Sequence, residues 1–68
     1  MDIEKTFTYH APNASQLPRY EALRAKAKEL ALLIEQSCPV SREKSLALTD
    51  LQRSVQMANA SIAITEVS

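Results

Sequence analysis

Apolar residues recur at intervals of three and four through the second half of the chain. This spacing places them on one face of an α-helix, which we predict over about residues 41–63. Ser41 directly follows a segment that contains Pro39, and a hydroxyl after a proline break predicts the N-cap of that helix. Glu43 falls in the first turn, where the helix dipole favours a negative charge. The apolar face comprises Leu48, Leu51, Val55, Ala58 and Ile62.

A second periodic segment precedes this one and predicts a helix over about residues 16–37. Ser15 is its expected N-cap, and Pro18 is tolerated in the opening turn. Because a helix with one apolar face needs a partner, the two segments should pack as an antiparallel hairpin. We therefore predict an all-α fold in a single domain, residues 1–68. The apolar stripe of the first helix comprises Tyr20, Leu23, Ala27, Leu30, Ala31, Ile34 and Cys38.

Residues 1–15 lack the helical spacing and form a predicted N-terminal arm. From Thr6 to His10, β-branched or aromatic residues alternate along the chain, and this favours an extended conformation. Ala11 also favours an extended conformation, because Pro12 follows it. Tyr9 and His10 both fall in this short extended arm, and His10 is the only histidine of the chain.

Both helices carry more apolar surface than a two-helix hairpin covers. The additional residues are Leu32 and Leu33 in the first helix and Leu46, Ala47 and Met57 in the second. A chain of 68 residues has a small core and usually needs a disulfide, a metal or partner subunits. One Cys and one His supply neither a disulfide nor a closed metal site. We therefore predict a homo-oligomer, with a monomeric hairpin as the alternative.

The charge balance argues against several classes of partner. Eight basic and eight acidic residues give no net electrostatic field to attract a DNA or RNA polymer.

No signal-peptide pattern or membrane-length apolar run is present, and the lone thiol agrees with a cytoplasmic location. The chain has no glycine, so the usual phosphate-binding loops are excluded. We expect no enzyme, because nucleophilic catalysis would need His10 near Ser or Cys38 and an acid to orient it, whereas Cys38 is expected to pack at the loop and no paired-carboxylate motif stands out. We also expect no cofactor.

Four basic residues concentrate on the first helix: Arg19, Arg24, Lys26 and Lys28. Arg24 and Lys28 are four residues apart and so share a face of the helix. This face either binds phosphate or is solvated, with its charges paired to nearby glutamates. Tyr9 in the arm either stacks on a nucleobase or staples the arm to the hairpin. The start of the second helix is either an anion site or a plain N-cap at Ser41.

Four sequence blocks point to a known family. They are YHAP at 9–12, RYEALR at 19–24, CPVSREKSLALT at 38–49 and MANASIA at 57–63. From about Thr8 to Ala63 the chain resembles the small phage anti-CBASS proteins. These are cyclic-oligonucleotide sponges of the helical-hairpin type, related to the hairpin domain of anti-Thoeris sponges.

The resemblance implies a homohexamer that binds cyclic dinucleotides of the cyclic GMP–AMP type between protomers, in the cytoplasm of the infected host cell. The ligand is held without cleavage, which blocks CBASS-type antiphage defence. Tyr9 is the implied stacking residue and Arg24 the implied phosphate contact, where the family pattern has Lys. His10 and Lys28 are additional candidates.

Some family members also bind cyclic trinucleotides through an Arg near the end of the last helix. Here Ile64-Thr65-Glu66 follows Ala63 and contains no Arg, so this second ligand class rests on weaker similarity. The alternative function is a structural or protein-binding hairpin without a nucleotide ligand.

Overall fold

The computed structural model describes Ile3 and residues 11–66, and two helices within residues 11–66 form a hairpin. Helix α1 spans Leu17–Ser37 and helix α2 spans Arg42–Thr65, joined by a four-residue connection. The described residues include no strand. The predicted all-α hairpin is therefore confirmed. Most of the predicted arm, with Tyr9 and His10, lies outside the described residues.

The turn that leads into α1 is organised by Asn13. Its side-chain Oδ1 accepts hydrogen bonds from the backbone N–H groups of Ser15 and Gln16, each at 3.0 Å. The Ser15 hydroxyl also donates to Asn13 Oδ1, at 2.8 Å. Gln16 is the N-cap residue, and its side chain makes no capping hydrogen bond. The prediction of Ser15 as the N-cap was wrong, because the Asn13 carboxamide binds the backbone N–H groups two and three residues further on and takes the place of a Ser15 cap.

Helix α2 begins as its sequence predicts. Ser41 has an extended backbone, and its hydroxyl accepts the Lys44 N–H at 3.1 Å, so it is the N-cap. Glu43 lies in the first turn. The helix continues to Thr65, two residues beyond the predicted end, because residues 63–65 include no proline or glycine to stop it.

The connection between the helices is held by Lys44. Its Nζ donates to the Glu35 carbonyl at 3.2 Å and to Glu35 Oε1 at 3.1 Å. The carbonyl lies in the last turn of α1, where carbonyl groups have no partner within the helix. The Cys38 N–H donates to the Ile34 carbonyl at 3.0 Å and closes that turn. These bonds fix how α2 turns back along α1.

The two helices pack along one face each, and this face is only half-buried. The α2 residues predicted to face α1 are all of intermediate exposure, as is the α1 stripe except Leu30. Leu30 is 45% exposed, a correction to its placement on the packed stripe. It lies at the edge of the stripe, where one neighbouring helix does not reach. No apolar side chain within the described part of the chain is fully buried.

Several large apolar side chains remain exposed on the described hairpin. Leu32 is 51% exposed and Leu33 is 57% exposed, as their positions off the stripe predict. Leu46 and Met57 on α2 are also exposed, whereas Ala47 is half-buried. Large apolar side chains that a fold leaves exposed together in number are typical of an interface.

Candidate functional site

Arg24 and Lys28 project from α1 into solvent, one helical turn apart. Both residues are exposed, and neither forms an ion pair with any residue between 11 and 66. Of the glutamates expected to neutralise this face, Glu29 pairs instead with Lys26, at 3.4 Å. The α1 surface therefore presents two neighbouring cations that an anionic ligand can approach.

Tyr9 and His10 lie outside the described residues. Their proximity to Arg24 and Lys28 stays a prediction from the sequence, and so does the stacking role of Tyr9. The described residues bring together Arg24 and Lys28 alone among the four predicted site residues.

An open groove of about 360 Å³ lies between the first half of α1 and the end of α2. Ala22 and Leu23 from α1 and Ile62 from α2 give it an apolar lining, and the aliphatic parts of Arg19 and Lys26 complete the wall. We call this the α1–α2 groove. It contains none of the four predicted site residues.

Arg19 joins the start of α1 to the end of α2. Its Nη1 donates to Glu66 Oε2 at 2.7 Å and its Nη2 to Glu66 Oε1 at 2.5 Å. The Nε–H donates to the Ser15 carbonyl at 3.2 Å, so all three guanidinium nitrogens have partners. We call the bidentate pair the Arg19–Glu66 clasp.

The clasp changes the ionisation of both of its members. The hydrogen bonds from Arg19 lower the pKa of Glu66, with a smaller contribution from their charge attraction. The same hydrogen bonds raise the pKa of Arg19. Gln16 lies in the same corner, where it is buried and its Oε1 accepts the Asn13 N–H at 3.1 Å. These contacts hold together the end of the hairpin that has no covalent connection.

The start of α2 behaves as a capped helix end. Ser41 satisfies the Lys44 N–H, and the Lys44 ammonium turns toward Glu35. The plain N-cap interpretation of Ser41 is therefore confirmed. The described residues contain no group of His, Cys, Asp and Glu side chains able to hold a metal ion. No helix among them is long and apolar enough to cross a membrane.

Three polar features of the hairpin were not predicted from the sequence. The first two are the Arg19–Glu66 clasp and the placement of Lys26 beside the groove. The third is Asn59, whose buried Oδ1 accepts no hydrogen bond from the described chain. The predicted antiparallel hairpin brings the start of α1 opposite the end of α2. This arrangement, rather than any spacing of residues, was the signal from which the clasp could have been predicted.

The described fold is that of a small two-helix hairpin. Within that class, the chain matches the family model described as Acb2/Tad1, hairpin domain, over residues 1–63. It belongs to this family, which confirms the resemblance to the anti-CBASS and anti-Thoeris sponge hairpins. The family implies a phage sponge for cyclic oligonucleotides, a binding protein rather than an enzyme. Comparisons with curated proteins and with solved structures gave no match.

Proposed function

We propose that this protein binds cyclic dinucleotides of the cyclic GMP–AMP type and holds them uncleaved, so that CBASS-type antiphage defence loses its signal. The observation that carries the proposal is the family match over residues 1–63. It is supported by Arg24 and Lys28 of α1, which are exposed and form no ion pair with any residue between 11 and 66. A neutral chain with a local pair of cations suits a small dianion better than a nucleic-acid polymer.

In the proposed site, Tyr9 stacks on a base of the ligand and Arg24 contacts a phosphate. Arginine presents a planar fork that matches phosphate oxygens, and Lys28, one turn further along α1, adds a mobile charge. His10 is the remaining proposed contact from the arm. The site lies between protomers, where a small ligand is enclosed more completely than on one hairpin.

The proposed assembly is a homohexamer. Its support is the exposed apolar surface of the described hairpin, above all Leu32, Leu33 and Met57. Covering such side chains removes apolar area from water, which favours association. We place the protein in the host cytoplasm during infection. A cyclic trinucleotide is a second ligand to be tested, although the α2 end has Glu66 and no Arg.

Calorimetric titration with 3′,3′-cyclic GMP–AMP tests the function directly. We expect tight binding and recovery of intact ligand after digestion of the protein. Tyr9→Ala should abolish the binding and leave the assembly intact. Arg24→Ala should cost about 1.5–3 kcal/mol, the usual loss for a charge-assisted hydrogen bond. Absence of heat across cyclic dinucleotides and trinucleotides would refute the proposal.

Two further variants sharpen the interpretation of Arg24. Arg24→Lys keeps the charge and restores the residue type of the family pattern, so it should retain most of the affinity. Arg53→Ala is the matched control, because it removes an exposed arginine from α2 outside the proposed site. Equal losses of ligand affinity in Arg24→Ala and Arg53→Ala would mean that Arg24 contributes only its positive charge and makes no specific contact.

The second candidate function is a protein-binding hairpin without a nucleotide ligand. The exposed Leu32 and Leu33 favour it, because they also suit docking to another protein. This function predicts no change in melting temperature with cyclic dinucleotides. The sponge predicts a rise, since the ligand binds only the folded state.

A further inference from the structure

The outer face of α2, which points away from α1, changes in exposure along its length. Leu46, Met57 and Ile64 are eleven and seven residues apart, close to whole numbers of helical turns, so they lie on one line along this face. Leu46 is 44% exposed and Met57 is 62% exposed, whereas Ile64 is half-buried. Because α1 packs on the opposite face of α2, it does not provide this cover.

Three neighbours of Ile64 complete a half-buried patch at the end of α2. They are Asn59, Ala60 and Ala63, and the four residues are joined by spacings of three and four. The boundary of the patch is sharp, because Gln56, one turn before Ala60, is exposed. We call these four residues the α2 end patch. Its alanines are small and leave space beside the Ile64 side chain for a larger apolar group.

Asn59 supplies the patch with a hydrogen-bond acceptor. Its Oδ1 is buried and accepts no hydrogen bond from the described chain. A buried oxygen without a donor destabilises a fold, and asparagine also forms helix less readily than alanine. The presence of Asn59 within α2 is therefore accounted for by a donor that packs on the patch.

The chain enters the hairpin at the same end. Gln16 is 5% exposed and its side chain contacts Glu66, in the corner of the Arg19–Glu66 clasp. Ala11 begins the described turn that leads to Gln16, and the four residues from Ala11 back to Phe7 span about 14 Å when extended. The α2 end patch is about 8 Å long. The N-terminal arm is therefore long enough to cover the patch within the same chain.

We propose that the N-terminal arm docks on the α2 end patch, with the Phe7 ring on its alanines and Ile64 and a backbone N–H of the arm bonded to Asn59 Oδ1. Phe7 is the arm residue chosen because Ile3 is 69% exposed and Tyr9 faces the ligand in the proposed site. The docked arm holds Tyr9 in place before a ligand arrives, so Phe7 and Asn59 are positioning residues for it. The docking rests on the burial of α2, whereas its effect on ligand binding rests on the proposed function.

Methyl NOE spectroscopy of the full-length protein tests the docking. The ring protons of Phe7 should show NOEs to the alanine and isoleucine methyl groups of the α2 end patch, and none to the exposed methyl group of Met57. A sample mixed from labelled and unlabelled chains distinguishes contacts within one chain from contacts between protomers. Absence of NOEs to the patch, or NOEs that arise only between chains, would overturn the docking.

Replacement of Asn59 separates the two explanations of its buried oxygen. Without a donor, Asn59→Ala would raise the melting temperature and leave the affinity for 3′,3′-cyclic GMP–AMP unchanged, because it removes an unsatisfied acceptor. With the arm as donor, the affinity should fall severalfold while the assembled mass stays the same. Gln56→Ala is the matched control from the exposed turn before the patch, and it should leave the affinity unchanged. Unchanged affinity in Asn59→Ala would overturn its positioning role.

Variants of Phe7 test the packing of the arm. Phe7→Ala should expose the patch, seen as a change in the Ile64 methyl signal, and should lower the ligand affinity severalfold. Phe7→Leu should restore most of the affinity, because another large apolar side chain then covers the patch. Ile3→Ala is the control, since Ile3 is already largely exposed. An affinity that Phe7→Leu fails to restore would assign the ring to the ligand instead and overturn the packing.

The outcomes separate this proposal from the proposed function. NOEs from Phe7 to the α2 end patch without any binding of the cyclic dinucleotide would retain the docked arm and overturn the sponge. Calorimetric binding that requires Tyr9, combined with the absence of those NOEs, would overturn the docked arm and retain the sponge.

Discussion

Replacing Leu32 and Leu33 together with glutamine should dissociate the proposed homo-oligomer while leaving the hairpin folded. In the described hairpin these side chains are already 51% and 57% exposed. Glutamine has nearly the same helix propensity as leucine, so α1 should form equally well. The double substitution therefore removes apolar surface that only another protomer would cover.

The magnitude follows from the exposed fractions. Complete burial of a leucine side chain is worth about 1.5–3 kcal/mol. Because roughly half of each side chain remains uncovered in the hairpin, its burial between protomers contributes about 0.8–1.5 kcal/mol. The pair contributes about 1.5–3 kcal/mol per chain, and this corresponds to roughly 10- to 100-fold weaker association.

Sedimentation velocity over a range of protein concentrations measures the effect, and circular dichroism reports whether the hairpin stays folded. Thr49→Gln is the matched control, because Thr49 is also exposed but is not a large apolar residue. A double variant that keeps the mass of the wild type throughout the range would refute the reasoning. A wild type that is monomeric at every concentration would refute the oligomer itself.

Two further predictions concern the ends of the hairpin. Ser41→Ala should lower the free energy of unfolding in urea by about 1 kcal/mol, because the N-cap hydrogen bond is lost. Ser41→Asp should retain most of this stability, and an equal loss in both variants would contradict the capping role. Because Arg19 lowers the pKa of Glu66, the stabilisation from the clasp is present above the unfolded-state pKa and is lost as the pH falls through the folded-state pKa. An NMR titration of the Glu66 carboxyl should show a lowered midpoint that Arg19→Gln returns toward the ordinary value, and a midpoint insensitive to this change would contradict the assignment.

Sequence reasoning succeeded where the signal is local. The spacing of apolar residues predicts both helices, since it depends only on the helical period. Ser41 and Glu43 predict the start of α2, because an N-cap bond spans three residues. The exposed positions of Leu32 and Leu33 also follow from the period, because they lie off the packed stripe.

The errors arise where two local signals compete or where distant residues meet. Asn13 and Ser15 are both capable of organising a turn, and the structure uses the Asn13 side chain. Leu30 fits the helical period, but a single neighbouring helix covers a narrower strip than the period allows. Glu66 pairs with Arg19 across 47 positions, and no spacing rule reaches that far.

A ligand site shared between protomers couples binding to assembly, and this gives a last prediction. A ligand held between protomers binds only the assembled state, so it shifts the equilibrium toward assembly by about 2.7 kcal/mol at 100 times its Kd. That gain is close to the loss expected for the Leu32 and Leu33 double variant. Sedimentation of this variant with excess 3′,3′-cyclic GMP–AMP should therefore recover much of the assembled mass. A site within one chain gives no such shift, because it is equally present in the monomer. Calorimetric saturation of this variant without any change in mass would show that the site of Tyr9 and Arg24 is not shared between protomers.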